Sequence, residues 1–285
     1  MANFHSRSNS FPSKSHPVMD EIQDHLRRLK ASEATSITAK SVNSDLVSLV
    51  DLHEGVQNLI QIPSIQQVLS HEQCGTWINE ILEGSLSLVD LCGFSRDVCC
   101  SMKEYIQELE SSIRRNRDKT ATETDIKSYL VSRKKINKMI SMKYVKNLKS
   151  FDQNSTVSVE NDNNLQAIVM VMKHAAAISF SVLNSVPLFL SGANGRSKSR
   201  NWSLLSKFTL NHVYPETDRD CGSKDLFDLH VGASMKFMDK VIVQNILKKL
   251  KESEMAIHEL EDGLESLFRS LVKTRVSLLN ILSDH

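Results

Sequence analysis

Along most of the chain, apolar residues return every three or four positions, and Pro, Gly or Asn and Ser clusters punctuate the blocks. That spacing predicts rods. A first helix is expected from about Val18 to Ala31, with Ile22, Leu26 and Leu29 along one side. After a Ser and Thr stretch ending at Thr38, a second is expected from about Ser44 to Gln61, carrying Leu46, Leu49, Val50, Val56, Leu59 and Ile60. Pro63 has no N–H to give and breaks it, and Ser64 is placed to cap a short helix beyond.

From about Glu72 to Asn116 the pattern of Trp77, Ile78, Ile81, Leu82, Leu88, Val98, Ile106, Leu109 and Ile113 predicts a long helix. Gly75, Gly84 and Gly93 interrupt it, each costing about 1 kcal/mol relative to Ala. Their even spacing predicts a neighbouring helix packed closely on the small residues, or a kink near Gly93. A further helix is expected from about Glu123 to Ser150, and the polar segment 152–164 reads as a linker and candidate subdomain boundary. The uncharged run Ala175 to Gly192 approaches the length of a bilayer span. Ser179, Ser181, Asn184, Ser185, Pro187 and Ser191 dilute it, which favours a buried core helix. Gly192 to Asn201 and Tyr214 to Lys224 read as loops.

Near the carboxyl end, Ile257, Leu260, Leu264, Leu267, Leu271, Thr274, Leu278 and Ile281 fall at alternating steps of three and four. Such a heptad-like seam would serve a coiled-coil hairpin or a homodimer. Phe268, Val272, Val276 and Leu279 widen the stripe, so burial inside the protein's own bundle is the expected use. The fold expected is all-α: an elongated multi-helix bundle with long antiparallel helices, one domain over 18–285 behind a disordered Ser-rich tail over 1–17.

Composition agrees with rods, because nine Gly and five Pro in 285 residues are too few turn formers for a sandwich or barrel. Thirty-five Lys and Arg balance 34 Asp and Glu, so no global field draws the molecule to nucleic acid or membrane and any charged partner must meet a local patch. The tail before Asp20 holds five Ser, Arg7 and Lys14 with no apolar core, unlike a secretory signal. A transit peptide would also be Ser-rich, but Pro12 and Pro17 oppose its amphipathic helix. An intracellular protein is expected, cytoplasmic ahead of nuclear or membrane-peripheral, with Cys74, Cys92, Cys99, Cys100 and Cys221 reduced.

Candidate chemistry is sparse. His71, Cys74, Cys92, Cys99 and Cys100 match no four-ligand zinc spacing, and Cys92 and Cys99, two turns apart, are expected to pack as small hydrophobes. Gly192, Gly195, Lys198 and Ser199 resemble a phosphate-binding loop only superficially, since Arg196 stands where its Lys would follow the second glycine. No catalytic, metal-ligating or cofactor-binding residue is assigned.

Charge gathers in one block. From Arg114 to Lys149 twelve Lys and Arg face only Asp118, Glu123 and Asp125. Ile136, Ile140, Tyr144 and Leu148 form a ridge there, with Lys135, Lys138, Lys146 and Lys149 opposite. This amphipathic helix, over 133–149, would lie on anionic lipid, or pair with the acidic run Glu252, Glu254, Glu259, Glu261, Asp262 and Glu265, or simply be solvated. Tyr129 and Tyr144 are the only aromatic residues of the block from Arg114 to Lys149, so nucleic-acid binding has little support. In the tail, Arg7, Ser8, Asn9, Ser10, Phe11 and Pro12 spell RSxSxP, which resembles a 14-3-3 docking peptide once Ser10 is phosphorylated.

The ordered markers together resemble the plant-specific, domain-of-unknown-function family related to the BYPASS proteins. They are Arg7 to Pro12 with His16 and Pro17, then Asp51, Leu52, His53 and Glu54 ahead of Pro63. Gly84, Ser85, Leu86, Asp90, Cys92, Asp97, Lys103, Glu104, Arg114 and Arg115 follow, then Tyr129, Arg133, Lys134 and Lys138, and finally Leu264 to Leu282, LESLFRSLVKTRVSLLNIL. Two departures stand out: the serine run after the first helix is shortened to Thr35, Ser36, Ile37 and Thr38, and Asn116 interrupts the basic run. The resemblance implies an all-helical plant protein linked to root and shoot development, with no catalytic residues to carry over. The expectation is a non-catalytic helical interaction protein with an unidentified protein partner, and a peripheral membrane protein as the alternative.

Overall fold

The computed structural model describes residues 17–32, 37–71, 76–115, 119–153, 163–192 and 240–283. Among them are seven α-helices and no strand: α1 Pro17–Ser32, α2 Ala39–Ile60, α3 Pro63–His71, α4 Thr76–Arg115, α5 Lys119–Gln153, α6 Asn163–Ser191 and α7 Lys240–Ser283. The tail motif Arg7, Ser8, Ser10 and Pro12 lies outside the described residues, as do most of the linker and both expected loops beyond Gly192.

Local chemistry sets the helix ends. Helix α2 starts at Ala39 rather than Ser44 because Thr38 and Ser41 form a reciprocal cap: the Ser41 N–H donates to Thr38 Oγ1 at 3.1 Å, and the Thr38 N–H donates to Ser41 Oγ at 2.9 Å. Pro63 opens α3 as its first helical residue, where its missing N–H costs nothing. The Ile62 carbonyl, not Ser64, begins the ladder, accepting from Ile65 and Gln66. Gly192 closes α6 with φ of 72°, its N–H turned back to the Phe189 carbonyl at 3.1 Å.

Close packing on Gly84 and Gly93, one of the two expectations for these glycines, is overturned. The 40 residues of α4 run without interruption through Gly84 and Gly93, and a Cβ at either position would meet nothing within 4 Å. Close approach occurs elsewhere. A Cβ on Gly55 of α2 would lie 3.0 Å from Ile22 of α1, and one on Gly263 of α7 would lie 3.2 Å from both Asn43 and Leu46 of α2.

Helices α2, α4, α6 and α7 make the centre. The whole seam from Ile257 to Ile281 is buried, with α7 against α2 on one flank and α4 on the other. Pairs such as Ser85 with Arg275 and Gln107 with Glu254 show that α4 and α7 run antiparallel. Of the residues expected to widen that seam, only Phe268 packs on the core. Val272, Val276 and Leu279 are exposed, so the stripe is narrower than their hydrophobicity implies. Helix α6 is long and apolar enough over Leu165–Ser191 to cross a membrane, yet it is a core helix here, with Ile168, Val169, Leu183, Val186 and Leu190 buried. Helix α5 lies outermost, against α4 and α6.

Candidate functional site

Polar side chains inside the bundle bridge helices. His53 and Gln57 stand one turn apart on α2. His53 Nε2 is 2.8 Å from Ser179 Oγ on α6, and Ser179 gives its own proton to the Ala175 carbonyl at 2.7 Å. The ring must therefore donate from Nε2, which leaves Nδ1 as a buried lone pair without a hydrogen-bond partner. Burial pulls the His53 pKa down to about 4, so the ring is neutral at physiological pH. A base activating Ser179 would need the opposite proton direction. Gln57 in turn donates to Ser277 of α7 at 2.7 Å, so α2 is tied to α6 and α7 from neighbouring turns.

The cysteines of α4 diverge. Cys92 and Cys99 face the core as small hydrophobes, Cys92 donating to the Leu264 carbonyl at 3.4 Å, and burial pushes both thiols up to about 12. Cys100 points outward. The side chains of His71 and Cys74 lie outside the described residues; among the described residues no group of three metal-ligating side chains forms.

Charged groups join α4 to α7. Lys103 pairs with Glu261 at 2.6 Å, Arg96 pairs with Glu265 while its guanidinium sits 5.0 Å over the Phe268 ring, and Gln107 donates to Glu254 at 2.8 Å. The hydrogen bond that Lys103 donates to Glu261 raises the Lys103 pKa, and those that Gln107 and Lys251 donate to Glu254 lower that of Glu254. Farther along, Arg275 donates to the Leu82 carbonyl and to Ser85 Oγ. Glu254, Glu261 and Glu265 of the acidic run are thus met from α4, and among the described residues no lysine of α5 pairs with that run, contrary to one sequence alternative.

What remains uncompensated is the outer face of α5. Ile126, Tyr129, Arg133, Ile136 and Ile140 are buried against α4 and α6. Opposite them, Lys134, Lys135 and Lys138 are exposed, and no ion pair holds any of the three among the described residues. Val131, Met139 and Met142 share that face at 53%, 41% and 65% exposure. Lys135 and Lys138 of the candidate basic surface are thus exposed, and the sequence reading does not include these three apolar neighbours. Their signal was the same helical period, since Val131 and Met142 stand eleven residues, about three turns, apart. Lys146 and Lys149 belong to α5, but their side chains, like those of Tyr144 and Leu148, lie outside the described residues. A small apolar niche between Leu69, Trp77, Ile81, Leu82, Leu278 and Ile281 has room for about one water-sized sphere and offers a substrate nothing polar.

The family model described as Protein BPS1 matches residues 45–281, from α2 through almost all of α7. No curated protein and no solved structure matches the chain.

Proposed function

The chain belongs to the Protein BPS1 family, and from that premise we propose that it is a non-catalytic helical interaction protein working inside plant cells in root and shoot development. One observation supports this reading: among the described residues, the reactive side chains in the core and at the α4–α7 contact are engaged in helix-to-helix packing. His53 is neutral and bonded to Ser179, the Cys92 and Cys99 thiols stay protonated, and Lys103 is matched by Glu261. A molecule built this way meets other molecules with its outer surfaces. The tail supplies regulation, with phosphorylated Ser10 between Arg7 and Pro12 docking 14-3-3.

Affinity capture from plant tissue, using the full chain and a chain lacking residues 1–16, tests both parts. A stoichiometric protein partner retained by a His53→Gln variant is expected, with 14-3-3 captured only through the phosphorylated tail. Turnover of a small metabolite that His53→Gln abolishes would overturn the non-catalytic reading. Equal 14-3-3 binding by phosphorylated and unmodified Ser10 peptides would remove the tail's role.

A further inference from the structure

We propose that the outer face of α5 docks on an anionic bilayer, with Lys134, Lys135 and Lys138 facing lipid headgroups and Val131, Met139 and Met142 touching the headgroup boundary. Charge gives the first argument. From Lys127 to Lys143 the helix carries no carboxylate, while Lys103, Lys173, Lys248, Lys251, Arg96, Arg114 and Arg269 elsewhere all sit beside one. Of the acids of α7, Glu261 and Glu265 are paired with Lys103 and Arg96 of α4, and Glu254 accepts from Gln107 of α4. Among the described residues, three cations therefore point outward without a paired carboxylate, and a surface of anionic headgroups supplies the counter-charge.

Shape and depth give the second. The apolar side that a freely inserting amphipathic helix would sink into lipid, Ile136 and Ile140, is committed to the bundle at 4% and 2% exposure. Insertion of α5 is excluded by its own core contacts. What the bundle presents is a ridge with apolar tips between lysines, and no other described helix forms a groove over it. A deformable headgroup layer can follow this ridge and supply negative charge to each of its lysines. Lysine stems can lie along the surface with their ammonium groups among the phosphates, and the methionines adapt to whatever they touch. Asp90, Asp97, Glu104 and Glu108 are exposed on α4, so the footprint is confined to α5 and contact is shallow and salt-sensitive.

The test is flotation of the full chain with phosphatidylcholine vesicles, with and without about one-third phosphatidylserine, at about 0.05 M and about 0.5 M salt. Binding is expected only to the anionic vesicles, and only at low salt. With each lysine near the surface worth about fivefold, the combined Lys134→Glu, Lys135→Glu, Lys138→Glu variant is expected to lose at least about tenfold in affinity. Met139→Ser with Met142→Ser is expected to weaken binding severalfold with the salt dependence unchanged. A control with the same charge change elsewhere, Lys40→Glu, Lys248→Glu, Lys273→Glu, should bind as the unaltered chain does. All these positions are exposed, and circular dichroism verifies that the variants fold. Equal binding to neutral vesicles, binding to neither, or equal loss in the control variant overturns the proposal. Binding of polyglutamate through these lysines while vesicles are ignored overturns it too, and assigns the face to an acidic protein.

Discussion

Because His53 loses its charge on burial against Ser179, its proton affinity differs between the folded and unfolded chain, and stability must follow pH. The folded value is about 4 against an ordinary 6.5, so the unfolded chain binds the proton first as pH falls. This contribution is complete above about pH 6.5, is lost progressively down to about pH 4, and is flat below. The gap corresponds to about 3 kcal/mol. His174 acts in the same direction, lowered by its partial burial and then by Lys30. Urea unfolding at several pH values from 7.5 to 4 should give a His53→Gln variant a flatter profile than the unaltered chain, because its amide can still donate to Ser179 but does not titrate. Parallel profiles for the two proteins would show that His53 does not carry the pH dependence.

Among the helices, the glycines separate what a pattern can say from what it cannot. Periodicity identified which residues share a face, and the seam from Ile257 to Ile281 is buried as that predicts. It says nothing of how near two axes approach, so evenly spaced Gly84 and Gly93 drew attention while the real close contacts lie at Gly55 and Gly263. Opposite responses to the same substitution follow. Gly84→Ala and Gly93→Ala add a methyl into open space within a helix and should each stabilise by about 1 kcal/mol. Gly263→Ala forces its methyl against Asn43 and Leu46 from 3.2 Å, and should cost about 1 kcal/mol or more. Chemical denaturation of the three variants checks the signs, and stabilisation by Gly263→Ala would mean that α2 and α7 are held less closely than they stand. The α5 face was half legible for a related reason. Its lysines announced themselves as surface, but Val131, Met139 and Met142 carry the same label as core residues and only the packing of α4 and α6 shows which side they occupy. The start of α2 escaped because its cap is built by Thr38 and Ser41, two hydroxyls that look like linker.

For the molecule as a whole, what matters is that no helix of the centre has only one neighbour. Helix α2 touches α1, α6 and α7, while α4 touches α5, α6 and α7, and one apolar cluster runs from Met19 through Leu52, Met102 and Val186 to Ile281. The polar bridges follow the same plan, with His53 reaching 126 positions along the chain to Ser179 and Gln57 reaching 220 to Ser277. Segment 152–164 invited division into subdomains on composition alone, yet such contacts couple both sides of it: Asn137 on α5 donates to the Ser191 carbonyl on α6 at 3.1 Å. Elements that share one core should melt together. Heating monitored by far-ultraviolet dichroism and by tryptophan fluorescence should give one coincident transition. Leu267→Ala, which empties a fully buried position of the seam, should destabilise the fold by about 3 kcal/mol and lower both signals in step. Two separated transitions, with only one moved by Leu267→Ala, would mean that the contacts across the linker are too weak to transmit the loss of α7 packing, and that the bundle is two cooperative units.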